Sequence, residues 1–161
     1  MPCYCQILTS NQAIYDGTHK LGTSGSANPT RNCYVARLDA NSELLLCSSG
    51  SKPFGLFYDH LDLIYQVTIA AGTVDCIDIN AFNAGKYTNV AKTDFDALIG
   101  ADAFVAGLIP AIGATLYEGA GGKIAVTPGT YAIGKCIGHT TVQHRSGAYS
   151  VAHCQFDFDF M

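Results

Sequence analysis

Residues 34–57 and 114–137 carry one pattern written twice, about eighty positions apart. The first copy reads YVARLDANSELLLCSSGSKPFGLF and the second ATLYEGAGGKIAVTPGTYAIGKCI. With a one-residue gap, Glu43-Leu44-x-Leu46 falls on Lys123-Ile124-x-Val126, and the Gly50 to Gly55 link falls on Gly129 to Gly134. Each copy is a short apolar strand, a polar turn, an alternating strand and a glycine-bounded link into a further strand. Such a repeat builds a scaffold of β-hairpins, not a catalytic loop.

Other segments agree with an all-β chain. Leu63, Tyr65, Val67 and Ile69 alternate with Ile64, Gln66, Thr68 and Ala70, the period of a half-buried strand, and 74–79 reads as its hairpin partner across Ala71-Gly72. The closing 155–160 places three phenylalanines on one face and two aspartates on the other. One short helix is expected, with Thr93 as cap, Asp96 three residues on, and Phe95, Leu98 and Ile99 before Gly100. The expected fold is a small β-barrel or β-sandwich of short antiparallel strands. Residues 1–32, rich in Gly, Ser, Thr and Asn, read as a flexible N-terminal arm. Residues 33–161 read as a single β-domain, with 81–112 as a long excursion between its halves.

Composition narrows the function classes. Charged residues make up 14 % of the chain and apolar ones 48 %, which argues against disorder and suggests apolar surface covered by a neighbour. A net charge of -4, with nine basic residues scattered along the chain, argues against nucleic-acid binding. No apolar run reaches the length of a membrane-spanning helix, and the first residues lack the pattern of a signal peptide. The chain is therefore expected to mature in the cytoplasm with its seven cysteines reduced.

Motifs of chemistry are weak. Cys136, His139, His144, His153 and Cys154 are ligand types, and Cys136-x2-His139 could share a zinc ion, but the spacing fits no zinc pattern. Cys3-x-Cys5 places two thiols on one face of a strand, where buried apolar thiols are the ordinary reading. Gly119-Ala-Gly-Gly-Lys123 lacks the first glycine and the Ser or Thr of a phosphate loop, and reads as a hairpin turn. His60 beside Asp59 and Asp62, and Asp94, Asp96 and Asp102, could serve acid–base work but fit caps and solvated faces. No enzyme activity, cofactor or metal is expected.

The repeat also carries a resemblance. Val35-Ala36-Arg37-Leu38, the Asn/Ser turn, Glu43 to Leu46 and the Gly50 to Gly55 link resemble the opening of small head decoration (cement) proteins of tailed bacteriophages. The segment from Ala114 through Gly134 to the final strand is similar to their closing hairpins. The resemblance covers roughly 33–160 as an order of elements. It implies a virion structural protein on the capsid exterior, made in the host cytoplasm, that cements neighbouring major capsid subunits. It further implies the major capsid protein as partner and self-association as a dimer or trimer, with no nucleic acid or membrane. A tail, baseplate or head-fibre β-module is the first alternative. A carbohydrate- or ligand-binding β-sandwich, with Phe82, Tyr87 and Phe104 as its aromatic platform, is the second. The partner interface is expected at Ile7, Leu8, Ile14 and Tyr15 in the arm and at Phe104, Val105, Leu108 and Ile109 in the excursion. These apolar groups are the hardest to place inside a barrel.

Overall fold

The computed structural model describes residues 4–8, 14–23, 29–59, 68–70, 73–75, 78–144 and 147–159. In chain order its strands are β1 (Cys5–Ile7), β2 (Tyr15–Asp16), β3 (Val35–Leu38), β4 (Leu44–Leu46), β5 (Gly55–Phe57), β6 (Thr68–Ala70) and β7 (Thr73–Asp75). There follow β8 (Val90–Ala91), β9 (Phe95–Ile99), β10 (Thr115–Glu118), β11 (Ile124–Ala125), β12 (Ala132–His144) and β13 (Gly147–Phe156). Helix is confined to α1 (Asn80–Asn83) and to short 3-10 turns such as Ala101–Ala103 and Ala120–Gly122. The protein is all-β, with two main antiparallel sheets ordered β1-β9-β13-β12-β10-β11 and β2-β8-β5-β3-β4. The β6–β7 hairpin stands as a separate pair, with Ala70 opposite Thr73 as the alternation there predicts.

The repeat in the sequence is a repeat of register. In the first copy Val35 faces Leu56, Ala36 faces Gly55 and Leu38 faces Leu44. In the second, Thr115 faces Lys135, Leu116 faces Gly134 and Glu118 faces Ile124, the same positions of the aligned pattern. Gly55 and Gly134 share a reason. A Cβ at Gly55 would lie 2.8 Å from the Ala91 carbonyl oxygen, and one at Gly134 would lie 2.3 Å from that of Gln155. Both glycines admit a neighbouring strand at close approach.

The correspondence extends past the visible repeat. Leu21 bridges Leu44 in parallel, and Phe104 bridges Ile124 in parallel, so each second hairpin strand is flanked by the segment leading into its own copy. β2, β3, β4, β5 and β8 make one five-strand unit; β9, β10, β11, β12 and β13 make another. In both units the first strand lies beside the fifth, then comes the fourth, then the hairpin of the second and third. Each unit forms one sheet. β1 is an extra strand on the second.

The two sheets share one hydrophobic core, filled by Leu21, Leu44, Leu56 and Phe57 from one unit and Phe95, Phe104, Leu116, Ile124 and Phe156 from the other. Phe95, Phe156 and Phe158 stack at 5.4–6.2 Å between centroids, so the tail buries these two of its three phenylalanines; Phe160 lies outside the described residues.

Four expectations need correction. The segment expected as a helix from Thr93 is strand β9, in which Phe95, Ala97 and Ile99 are buried and Asp96 and Leu98 half-buried. It lies between β1 and β13, and ladders on both sides outweigh the weak helical propensity of a single capped turn. The described residues of 1–32 do not stand off as an arm: β1, β2 and the Leu21 bridge are built into the sheets, with Ile7, Ile14 and Leu21 buried. The stretch 81–112 is no excursion between halves, since it supplies β8 to one sheet and β9 to the other. Finally, the cysteines are not all free: Cys5 in β1 is bonded to Cys33, just ahead of β3, at a Cα separation of 5.8 Å. Apolar spacing alone does not bring these two positions together; the pairing of β1 with β9 does. No helix among the described residues is long and apolar enough to cross a membrane.

Candidate functional site

Beyond β9 the chain makes the 3-10 turn at Ala101–Ala103 and drives Phe104 into the core, where only 2 % of it stays exposed. The Val105 N–H then donates to the Ile124 carbonyl at 2.9 Å, laying this segment along β11. Gly107, at φ +67°, turns the chain outward, and Gly113, at φ +91°, returns it into β10. An L-residue is strained at both angles. Between these two turns 108–111 forms one wall of a groove, and Glu118, Ala120 and 124–129 form the other. The groove has a volume of about 530 Å³.

Its rim is aliphatic. Val105 is 50 % exposed, Leu108 71 % and Val126 47 %, while Ile109 packs half-buried against the core. Gly119 holds the groove closed at its base: a Cβ there would lie 2.6 Å from Val105 Cγ2. Glu118, 1 % exposed, fixes the far wall. Its Oε1 accepts from the N–H groups of Thr130 (2.8 Å) and Gly50 (3.3 Å), and its Oε2 from that of Tyr131 (3.0 Å). A buried carboxylate satisfied by three backbone donors orders the loop after β11 without presenting charge to the groove.

The structure therefore divides the eight expected interface residues. Phe104, Val105, Leu108 and Ile109 come together at the groove, with Phe104 as its floor. Ile7 and Ile14 are core residues and Tyr15 is a half-buried β2 residue stacked 6.0 Å from Tyr58. Leu8 is exposed, and its N–H donates to the Asp96 carbonyl at 2.9 Å. β1 and β11 are opposite ends of a six-stranded sheet, about 24 Å apart at the usual strand spacing, so the arm group and the groove do not form one surface. Val126 belongs to the rim and was not singled out in sequence. Its signal was there: an aliphatic residue two positions before Pro128, just past the end of β11.

The groups weighed for chemistry are otherwise engaged. Cys136 and Cys154 face each other across β12 and β13, His139 lies within 2.6 Å of the Pro110 carbonyl, and His153 pairs with Asp96 at 3.1 Å. Among the described residues no three such side chains gather as a metal site. Burial pushes the Cys47 thiol up to about 11 and raises that of Cys154, so neither is a ready nucleophile. Asp102 receives two hydrogen bonds from Arg31 Nη1 (3.1 and 3.0 Å) and one from the Tyr34 hydroxyl (2.7 Å). Burial, and then the bond to Asp102, raise the Tyr34 pKa. This triad ties the segment before β3 to the turn after β9. His60 and Asp62 lie outside the described residues, and Asp59 bonds Asn83 and Asn89. Of the aromatic platform, Phe104 is buried, Tyr87 is exposed with Lys20 Nζ 5.3 Å from its ring, and the Phe82 side chain lies outside the described residues.

The chain matches no family model, and no curated protein or solved structure matches it.

Proposed function

We propose that this protein is a virion structural protein that binds the outer surface of a bacteriophage capsid and cements neighbouring major capsid subunits. The observation that carries the reading is the groove. Three aliphatic side chains, Val105, Leu108 and Val126, stand around it, each about half exposed or more, and a monomer in water gains nothing from such a rim. Covering them contributes roughly 1 kcal/mol apiece, too little for a tight lone complex after the cost of association. It suffices for a protein present in many copies on a symmetric lattice, where each contact adds to the stability of the junction it spans. The resemblance of the repeated hairpins to head decoration proteins supplies the class of partner, the major capsid protein. The Cys5–Cys33 bond fits a particle that is assembled in cytoplasm and then released into an oxidising exterior.

The test is the copy number of this 17.0 kDa chain relative to the major shell protein in purified particles, together with binding of the Leu108→Asp variant to stripped shells. A ratio that is a simple fraction, with binding weakened tenfold or more by the substitution, is expected. A handful of copies would move the protein to a tail, baseplate or head-fibre position. Absence from particles, or undiminished binding by Leu108→Asp, would overturn the reading.

A further inference from the structure

β12 and β13 outrun their sheet. β10 accompanies β12 only as far as Cys136, and β9 accompanies β13 only from Ala152 onward. Residues 140–144 and 147–151 pair with each other and with no other described strand, making a two-stranded ribbon about 16 Å long. Ile137, His139, Thr140, Thr141, Gln143, Ala148 and Ser150 are all exposed. Val151 is buried and Val142 half-buried on the other face, and a ribbon of two strands with so little packed is marginal by itself.

We infer that this ribbon is a self-association edge, and that its occupant is the ribbon of a second copy of this chain. The backbone geometry identifies the open edge. Cys136 turns its N–H to the Ala114 carbonyl (2.9 Å) and receives the Gly113 N–H (2.7 Å), so both its polar groups point away from β13. Its cross-strand partner Cys154 then turns both of its own away from β12, and at period two so do Ala152, Ser150 and Ala148. Thr141 lies opposite Ser150 and shares its outward sense. Past the end of β9, the Ser150 and Ala148 donors and acceptors face outward with no described strand beside them.

Charge selects the partner. Exposed edges are ordinarily guarded by lysine, glutamate or proline. Between Cys136 and Phe156 the chain has none of these, and Arg145 is the one formal charge. The thirteen acidic residues behind the net charge of -4 all lie elsewhere. Two copies can therefore lay ribbon against ribbon without like-charge repulsion. A ribbon has two edges and a twofold axis joins one of them to itself: the β12 edges meet antiparallel with Thr141 against Thr141, making four strands from two. The bulge at Cys136/Gly138 redirects the ribbon where it leaves the sheet.

Sedimentation equilibrium of the full chain tests this, with amide exchange read over a range of concentration. Association to twice 17.0 kDa is expected, together with exchange at Thr141 that slows as concentration rises while exchange at Ser150 does not. Thr141→Pro and Ser150→Pro remove outward donors and spare the bonds inside the hairpin. Thr141→Pro, on the paired β12 edge, is expected to weaken association at least tenfold, and Ser150→Pro, on the opposite edge, to leave it unchanged. The double variant Thr141→Lys with Gln143→Lys, which guards the edge by charge alone, gives the same readout should a proline chain fail to fold. A wild-type chain that stays monomeric at hundreds of micromolar overturns the inference, as does lysine-guarded protein that associates like wild type. A monomer whose ribbon amides become protected only on shells would assign the edge to the capsid instead. The inference holds or fails independently of the capsid reading.

Discussion

Two pairs of residues show what the repeat demands of single positions. Cys33 and Gly113 occupy equivalent sites, at φ +69° and +91°, and Ser42 and Gly122 do so at +59° and +75°. The left-handed turn is a property of the unit, and each copy meets it with a different residue. At Gly122 the choice is forced: a Cβ would lie 2.6 Å from Leu46 Cδ2 and 3.1 Å from the Val35 carbonyl oxygen. At Ser42 it is not, because the side chain is exposed and the turn is held by backbone bonds to Asp39. An L-residue in that region costs about 1–2 kcal/mol, of which glycine's extra chain entropy returns roughly half. Ser42→Gly should therefore stabilise the protein by about 0.5–1 kcal/mol, read as a raised denaturant midpoint at unchanged slope. Gly122→Ser should destabilise it by roughly 2 kcal/mol or more. Equal effects at the two sites would mean that the turns are not equivalent.

At the scale of elements, the hairpins β3–β4 and β10–β11 were legible because apolar alternation and turn glycines write them out twice. The strands that complete each unit were not. Tyr15–Asp16 and Val90–Ala91 are two residues long, too short for any period, and are strands only because neighbours pair with them. β9 carried both a period-two pattern and a helix cap, and the cap misled, since Asp94 sits at φ +35° and turns the chain into a ladder. The ribbon of β12 and β13 was hidden for the opposite reason: most of its described side chains are exposed, so little burial pattern marks it. The groove was partly legible, through aliphatic residues that an alternating strand could not absorb, although Phe104 serves the core. One element-level device is testable without any partner. Glu118→Gln replaces a carboxylate oxygen by an amide nitrogen, so backbone donors at Thr130, Tyr131 or Gly50 face a donor. The expected cost is about 1–3 kcal/mol, with faster amide exchange at Thr130 and Tyr131. Unchanged exchange there would show that the loop forming the groove wall is ordered without Glu118.

The whole molecule is two like sheets held face to face by a common core and a few specific ties. Gly122 N–H donates to the Cys47 carbonyl at 2.8 Å, Gly50 N–H reaches Glu118, and Arg31 and Tyr34 reach Asp102; each tie joins one unit to the other. Cys5–Cys33 is the covalent member of the set, joining the extra strand β1 to the chain entering β3 across a separation of 28 residues. Closing a loop of that length stabilises by about 3–4 kcal/mol through the unfolded chain, or roughly 10 °C in Tm for a domain of this size. Reduction, or Cys5→Ser, should lose that amount. Cys33→Gly removes the same bridge but also relieves the positive φ at position 33, where the other unit carries Gly113. It should therefore keep roughly 1 kcal/mol that Cys5→Ser loses. Calorimetry on the three forms, oxidised, Cys5→Ser and Cys33→Gly, separates the contributions. If reduction leaves Tm unchanged, the two sheets are held by core and hydrogen bonds alone. If the two variants fall together, the turn at Cys33 is not strained, and the likeness of the units stops at strand order.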